Sequence, residues 1–71
     1  MKKSTTVKTR TMGYVWIDTC FTFDHGWETM VFASDKNGKV LDWMDLDCDI
    51  YATESQASEG HDEMVEKWKD M

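Results

Sequence analysis

Hydrophobic and polar residues alternate along the first half of the chain in a way that predicts β-strands. Residues 13–23 are rich in aromatic and β-branched side chains, as strands are. Residues 24–26 form a turn signal whose final glycine suits a left-handed backbone, and the chain returns as a second predicted strand at 27–34. A second turn signal at 35–38 precedes a third predicted strand at 39–46.

Successive side chains of a strand point to opposite sides of the sheet, so these strands define two faces. With Phe23 set opposite Trp27 and Asp35 opposite Lys39, face A collects Val15, Ile17, Phe21, Phe23, Trp27, Val31, Leu41 and Trp43. Face B carries Tyr14, Trp16, Cys20, Met30, Phe32, Val40 and Met44 among Asp18, Glu28 and Asp42. A sheet with one solvated face alternates cleanly, whereas face B is rich in aromatic residues.

The C-terminal third predicts a helix over residues 53–69. Thr53 is a suitable N-cap, and Gln56 completes a capping box. The apolar residues Ala57, Met64, Val65 and Trp68 follow helical spacing. His61 falls in the same stripe, so we expect it to face the sheet and make a buried hydrogen bond. Gly60 beside it is expected to let strand backbone or a tryptophan ring approach the helix closely.

These elements predict an α+β fold in a single domain spanning residues 1–71. We expect a three-stranded antiparallel β-meander within residues 13–47 and one C-terminal helix packed on face A. A fourth strand is expected if residues 4–12 pair with the sheet. A chain of 71 residues has room for one hydrophobic core only.

Charge is distributed unevenly along the chain, whose formal net charge is −6. Lys2, Lys3, Lys8 and Arg10 are half of the 8 basic residues, so residues 11–71 carry a net charge of −10. We expect residues 1–10 to form a basic, partly flexible arm. The acidic remainder argues against direct binding of nucleic acid. No apolar run approaches the length of a membrane span, so we expect a cytoplasmic protein with reduced thiols.

The residues that carry chemistry favour neither an enzyme nor a cofactor protein. Cys20, His25, Cys48 and His61 are potential zinc ligands, but they lack knuckle spacing, and the predicted faces separate Cys20 from His61. A small zinc module is therefore the third alternative, and no metal or cofactor is expected. His61 has only sequence neighbours as carboxylate partners, which point elsewhere on a helix, so no catalytic residues are assigned.

Two surfaces remain as candidates for binding. Face B is the first, because exposed aromatic and methionine surface marks interfaces; its predicted partner-binding residues are Tyr14, Trp16, Met30, Phe32 and Met44. The acidic surface is the second, with Asp42, Asp45, Asp47 and Asp49 as a rim around face B or as a mimic of nucleic-acid phosphates. The predicted partner is another protein or, in a homodimer, a second copy of this chain.

Residues 27–68 resemble a family of small tailed-phage proteins of unassigned activity. The resemblance rests on an aromatic-E-T-M-V-F strand, matched from Trp27 to Phe32, and on a later helix with A-x-x-G-H, matched by Ala57, Gly60 and His61. It implies a phage-encoded accessory protein in the host cytoplasm that acts non-catalytically by protein–protein binding. Inhibition of a host or antiphage-defence protein is the action that this setting favours. The competing hypothesis is an acidic mimic that blocks a DNA- or RNA-binding protein.

Overall fold

Four antiparallel strands and one helix form the fold of residues 2–71, which this computed structural model describes. The elements are β1 (Lys3–Lys8), β2 (Tyr14–Thr22), β3 (Gly26–Ser34), β4 (Asp47–Tyr51) and α1 (Glu54–Lys69). The strands lie in the order β1-β2-β3-β4, and α1 packs against the sheet. The predicted α+β fold is confirmed in its four-stranded form.

The β2–β3 hairpin is the centre of the sheet. Gly26 adopts a φ of 77° and pairs with Thr22, so the connecting loop consists of residues 23–25. Ile17 therefore lies opposite Val31, not opposite Ala33 as predicted. A shift of two residues leaves every side chain on its predicted face, because strand side chains alternate with a period of two.

The basic N-terminal residues form an edge strand. β1 pairs with β2 from Lys3↔Thr19 to Lys8↔Tyr14, which corrects the prediction of a flexible arm for residues 3–8. Val7 is buried on face A, and the Lys3 Nζ atom lies 2.8 Å from the Asp62 carboxylate of α1. Burial of one face of the segment explains why it is ordered as a strand despite its charge.

The third predicted strand, at residues 39–46, is wrong. Pairing begins as predicted, with Ser34 opposite Val40 and the Leu41 amide donating to the Ala33 carbonyl. The chain then leaves the sheet and returns where Asp47 lies opposite Val31, the place predicted for Trp43. Four extra residues are looped out, and β4 takes over the edge of the sheet at residues 47–51.

Helix α1 covers face A with its predicted apolar stripe. Thr53 is the N-cap, and its hydroxyl accepts a hydrogen bond from the Gln56 amide. The Gln56 side chain reaches back to the Ala52 amide, one residue before the group that a capping box uses. The core consists of Val7, Val15, Ile17, Val31, Met64 and Trp68.

The far end of face A is left uncovered by the helix, contrary to the prediction. Phe21 is more than half exposed and Phe23 is fully exposed. The Phe21 ring packs edge-on against Trp27, with centroids 5.4 Å apart, and against Phe23 at 6.3 Å. These three rings form a separate cluster at the tip of the β2–β3 hairpin.

Gly60 of α1 packs directly against the Tyr51 ring of β4. A Cβ atom at this position would lie 2.1 Å from Cζ of Tyr51 and 2.2 Å from its hydroxyl oxygen. The predicted close contact is confirmed, but the group that uses it is the ring of Tyr51 in β4. Because Gly60 has no side chain, α1 can pack closely against the edge strand β4.

We predict that Gly60→Ala destabilises the fold although alanine favours a helix by about 1 kcal/mol. Forcing the Tyr51 ring away should cost about 1–3 kcal/mol, as overpacking does elsewhere, so the expected net change is a loss of up to about 2 kcal/mol. Chemical denaturation of the purified variant measures it. Glu59→Ala, on the exposed side of the same turn, is the matched control, and a rise in stability of Gly60→Ala would contradict the close-packing account.

Candidate functional site

Face B lies on the side of the sheet opposite α1, and a loop covers part of it. Tyr14, Trp16 and Met30 are half-buried there, whereas Phe32 is only 7% exposed. The looped-out segment between Ser34 and β4 folds back over the face. Gly38 of this segment lies against Trp16 and Thr6, because a Cβ atom built on it would meet both side chains.

Hydrogen bonds between aspartate side chains and nearby backbone amides fix the conformation of this loop. The Asp35 carboxylate accepts hydrogen bonds from the amides of Asn37 and Lys39, at 2.8 and 3.0 Å. The Asp42 carboxylate accepts one from the Met44 amide at 2.9 Å. An aspartate that bonds the backbone two residues onward stabilises a turn. The second turn redirects the chain at residues 42–44, where the pattern predicted a continuing strand.

The turn at Asp42 places Trp43 against two aromatic residues of face B. Its ring centroid lies 5.2 Å from that of Phe32 and 6.5 Å from that of Trp16, both in edge-on arrangements. Trp16 and Phe32 stack on each other at 6.3 Å. Such aromatic pairs contribute about 0.5–1.5 kcal/mol each beyond the area that they bury. The three rings therefore support one another and hold the loop on the sheet.

Much of this cluster still faces solvent. Trp43 is 70% exposed, and its loop neighbours Leu41 and Met44 are also exposed. We call the three packed rings, Trp16, Phe32 and Trp43, the aromatic patch. Trp43 and Leu41 were predicted on face A; the structure places Trp43 on face B, with the Leu41 side chain exposed. A buried Phe32 beneath an exposed Trp43 is the arrangement of an anchored, solvent-facing aromatic residue.

The other predicted binding residues divide between this patch and the helix side of the sheet. Asp42 and Asp45 are exposed in the same loop as Trp43. Asp47 and Asp49 are on face A, because they lie opposite Val31 and Thr29. The aspartates therefore do not form a single row around the patch.

Asp47 attaches the end of α1 to the edge of the sheet. Its Oδ2 atom accepts hydrogen bonds from Lys67 Nζ at 2.7 Å and from Trp68 Nε1 at 3.1 Å. Burial raises the pKa of the Asp47 carboxyl, but the bonds from Lys67 and Trp68 outweigh burial and hold the pKa below its ordinary value. This carboxylate has a structural role, which the sequence pattern gave no sign of.

A shallow groove of about 140 Å³ separates β4 from α1. Tyr51 and Gly60 line it, together with the carboxylates of Asp49 and Glu63. Partial burial and the neighbouring Asp49 carboxylate raise the pKa of the Tyr51 phenol. Pockets for small organic ligands measure about 300–1,000 Å³, so this groove is smaller than a typical ligand site.

His61 lies in a buried row of hydroxyl groups. Its side chain is 0% exposed; Nε2 lies 2.8 Å from Thr5 Oγ1, and Nδ1 lies 2.7 Å from Thr19 Oγ1. Thr19 continues the row to Thr29 at 2.5 Å. The predicted buried hydrogen bond between His61 and the sheet is confirmed, and it is made twice. Thr5, Thr19 and Thr29 were all missed as members of this row, although their period-two positions on face A were a usable signal.

The environment of His61 favours its neutral form. Burial is the main cause that lowers the pKa of the imidazole, and the Lys3 ammonium lowers it further, while Asp62 and Asp18 act in the opposite direction. A neutral ring has one donor and one acceptor nitrogen, which two threonine hydroxyls can satisfy together. Both nitrogens are thus occupied inside the protein.

The potential zinc ligands do not converge. Cys20 and Cys48 are on face B and His61 is buried on face A, while His25 is exposed in the hairpin loop. Within residues 2–71 no three histidine, cysteine or acidic side chains are grouped to hold a metal ion. Burial, followed by a nearby carboxylate, raises the pKa of both thiols, Cys20 beside Asp18 and Cys48 beside Glu28. A raised pKa disfavours the thiolate that metals and disulfide exchange require.

Comparison of the chain with protein-family models, with curated proteins and with solved structures gave no match. Within residues 2–71 no helix has the length and apolar character that crossing a bilayer requires.

We predict that Asp47→Asn weakens the attachment of α1. Replacing the charged acceptor of two hydrogen bonds by a neutral amide should lower the free energy of unfolding by about 1–3 kcal/mol at pH 7. A carboxyl with a lowered pKa stabilises the folded state above its unfolded pKa of about 3.9 and ceases to do so as the pH falls. Denaturation at several pH values should therefore show the variant and the parent converging as the pH falls through the lowered pKa of Asp47. Asp45→Asn is the exposed control that leaves stability unchanged at pH 7.

We also predict that His61 makes stability depend on pH between about 7 and 5. Its lowered pKa means that the unfolded chain binds a proton first, so stability is complete above the unfolded pKa of about 6.5 and falls below it, by at most about 1.4 kcal/mol per pH unit. His61→Gln removes this titration and should flatten the slope even if overall stability drops. His25→Gln should keep the parental slope, and an equal slope in all three proteins would contradict the prediction.

Proposed function

We propose that this chain acts non-catalytically as a small protein-binding module, with the aromatic patch as its contact surface. The observation that supports the proposal is Trp43, which is 70% exposed yet held by Trp16 and Phe32. Tryptophan is the residue type most enriched among residues that dominate interface energetics. A preorganised ring also loses little conformational entropy when a partner covers it.

Charge narrows the class of partner. Asp42 and Asp45 flank Trp43 and Met44 in the loop, and the chain as a whole has a net charge of −6. A second copy would bring the same carboxylates against these two, whereas a partner with a basic rim around an apolar centre would be attracted. A different protein is therefore favoured over a homodimer.

The biological setting follows from the resemblance to small tailed-phage proteins. We propose a phage-encoded accessory protein in the host cytoplasm, with a host or antiphage-defence protein as the target that it inhibits. The alternative of a nucleic-acid mimic depends on a row of available carboxylates. It has less support, because Asp47 is used internally by Lys67 and Trp68.

The patch makes a specific prediction for Trp43→Ala. Affinity capture from a host lysate should identify a protein that the parent retains and the variant does not. With that partner purified, Trp43→Ala should bind it more weakly than the parent by about 2 kcal/mol or more, roughly thirtyfold in Kd. Phe23→Ala is the matched control, because Phe23 is a fully exposed aromatic residue outside the patch. Its binding should equal that of the parent.

Three outcomes would count against this proposal, either against the patch as the contact or against a different protein as its partner. Equal retention by the parent and Trp43→Ala, with both folded, would remove the patch as the contact. A steep loss of binding in Asp42→Asn and Asp45→Asn, with Trp43→Ala unaffected, would favour the mimic. A parental dimer that Trp43→Ala converts to a monomer would identify a second copy as the occupant.

A further inference from the structure

The outer edge of β1 carries backbone groups that have no partner strand. Thr9 donates its amide to the Gly13 carbonyl, which continues the β1–β2 register, so the odd-numbered residues of β1 direct their backbone groups towards β2. Backbone direction alternates along an antiparallel strand. The N–H and C=O groups of Ser4, Thr6 and Lys8 therefore point away from the sheet.

At the opposite edge of the sheet, the outward backbone amides of β4 have hydrogen-bond acceptors, which those of β1 lack in the described part of the chain. On β4 the amides of Cys48 and Ile50 donate to the carboxylates of the preceding Asp47 and Asp49, both at 2.9 Å. Each outward donor is thereby occupied by a neighbouring side chain. Within residues 2–71 the outward amides of β1 have no such acceptor. β1 instead carries lysine side chains, a protection that repels another basic strand but attracts an acidic one.

Charge decides what can pair with this edge. Lys2 and Lys8 are exposed on the face-B side of β1, and Arg10 follows directly, while Lys3 on the other side is held by Asp62. Two copies joined through β1 would bring these cations together, which disfavours self-association. Residues 11–71 carry a net charge of −10, which repels nucleic acid.

We propose that β1 is a docking edge for an extended acidic segment of another protein, which joins the sheet as a fifth strand. Its backbone would pair with the outward groups of Ser4, Thr6 and Lys8, as in strand addition elsewhere. Carboxylates six residues apart on one side of the segment would lie opposite Lys2 and Lys8, about 20 Å apart at the rise of a strand. Ser4 and Thr6, which lie between these two charges, are both exposed.

The probe is a blocked peptide, Glu-Val-Thr-Val-Thr-Val-Glu, titrated into the full-length isotope-labelled protein. The expected result is saturable binding that shifts the amide signals of Ser4, Thr6 and Lys8 and slows their hydrogen exchange, with Cys48 and Ile50 on the other edge unchanged. The same peptide with lysine in place of both glutamates should not bind. Trp43→Ala should bind as the parent does, so this test is independent of the aromatic patch.

Two variants separate backbone pairing from charge attraction. Ser4→Pro removes an outward amide without removing a bond to β2, and proline is tolerated on edge strands; we expect about a tenfold or greater loss of affinity with parental thermal unfolding. Lys8→Gln should weaken binding and its dependence on salt, while leaving the same amides shifted.

The proposal is overturned if folded Ser4→Pro binds like the parent, or if the peptide shifts the β4 amides as strongly as those of β1. It is also overturned if an oligonucleotide of equal charge shifts the β1 amides to the same extent, or if a dimer through β1 prevents peptide binding. Should Ser4→Pro unfold, the pattern of shifted and protected amides in the parent decides between these outcomes.

Discussion

The two hydrogen bonds that His61 makes with Thr5 and Thr19 fix how α1 lies on the sheet. A fully buried imidazole needs a partner for each nitrogen, and an unsatisfied buried group costs about 1–3 kcal/mol. The hydroxyls that satisfy this one belong to adjacent strands, β1 and β2, and lie diagonally across from each other on face A. The helix can meet both only in one rotation about its axis. In that rotation Gly60 packs against Tyr51, and Trp68 donates a hydrogen bond to Asp47. Both contacts of α1 with β4 therefore depend on the hydrogen bonds of His61.

Because the helix packs on face A, it leaves face B without a helix to cover it. Within residues 2–71 there is a single helix, of 16 residues, and it covers one side of a four-stranded sheet. The other side receives only the loop between β3 and β4, whose Trp43 buries Phe32 but stays largely exposed itself. Within residues 2–71 the exposed aromatic patch is thus the part of this second apolar face that the loop leaves uncovered. The proposed partner protein would cover it.

The sequence pattern was sufficient wherever local signals decided the structure. The period-two alternation placed β2 and β3, Gly26 gave the turn, and helical spacing brought His61 to the core. It failed between residues 39 and 51, where two successive segments could both form an edge strand. The register from the Asp35 turn was correct as far as Leu41. Asp47 then binds Lys67 and Trp68, contacts 20 and 21 residues distant that no local pattern contains.

The error in the third strand also made the predicted positions of several binding residues wrong, because the face assigned to a side chain depends on the strand that contains it. Trp43 was assigned to the core and Phe32 to the surface, whereas the loop brings Trp43 out and covers Phe32. Two of the acidic residues also have structural roles that were not predicted. Asp47 bonds an edge amide with one oxygen and the helix with the other, while Asp42 turns the loop. Carboxylates that composition counts as one acidic surface are therefore divided between building the fold and facing a partner, so charge density alone is weak support for mimicry of a polyanion.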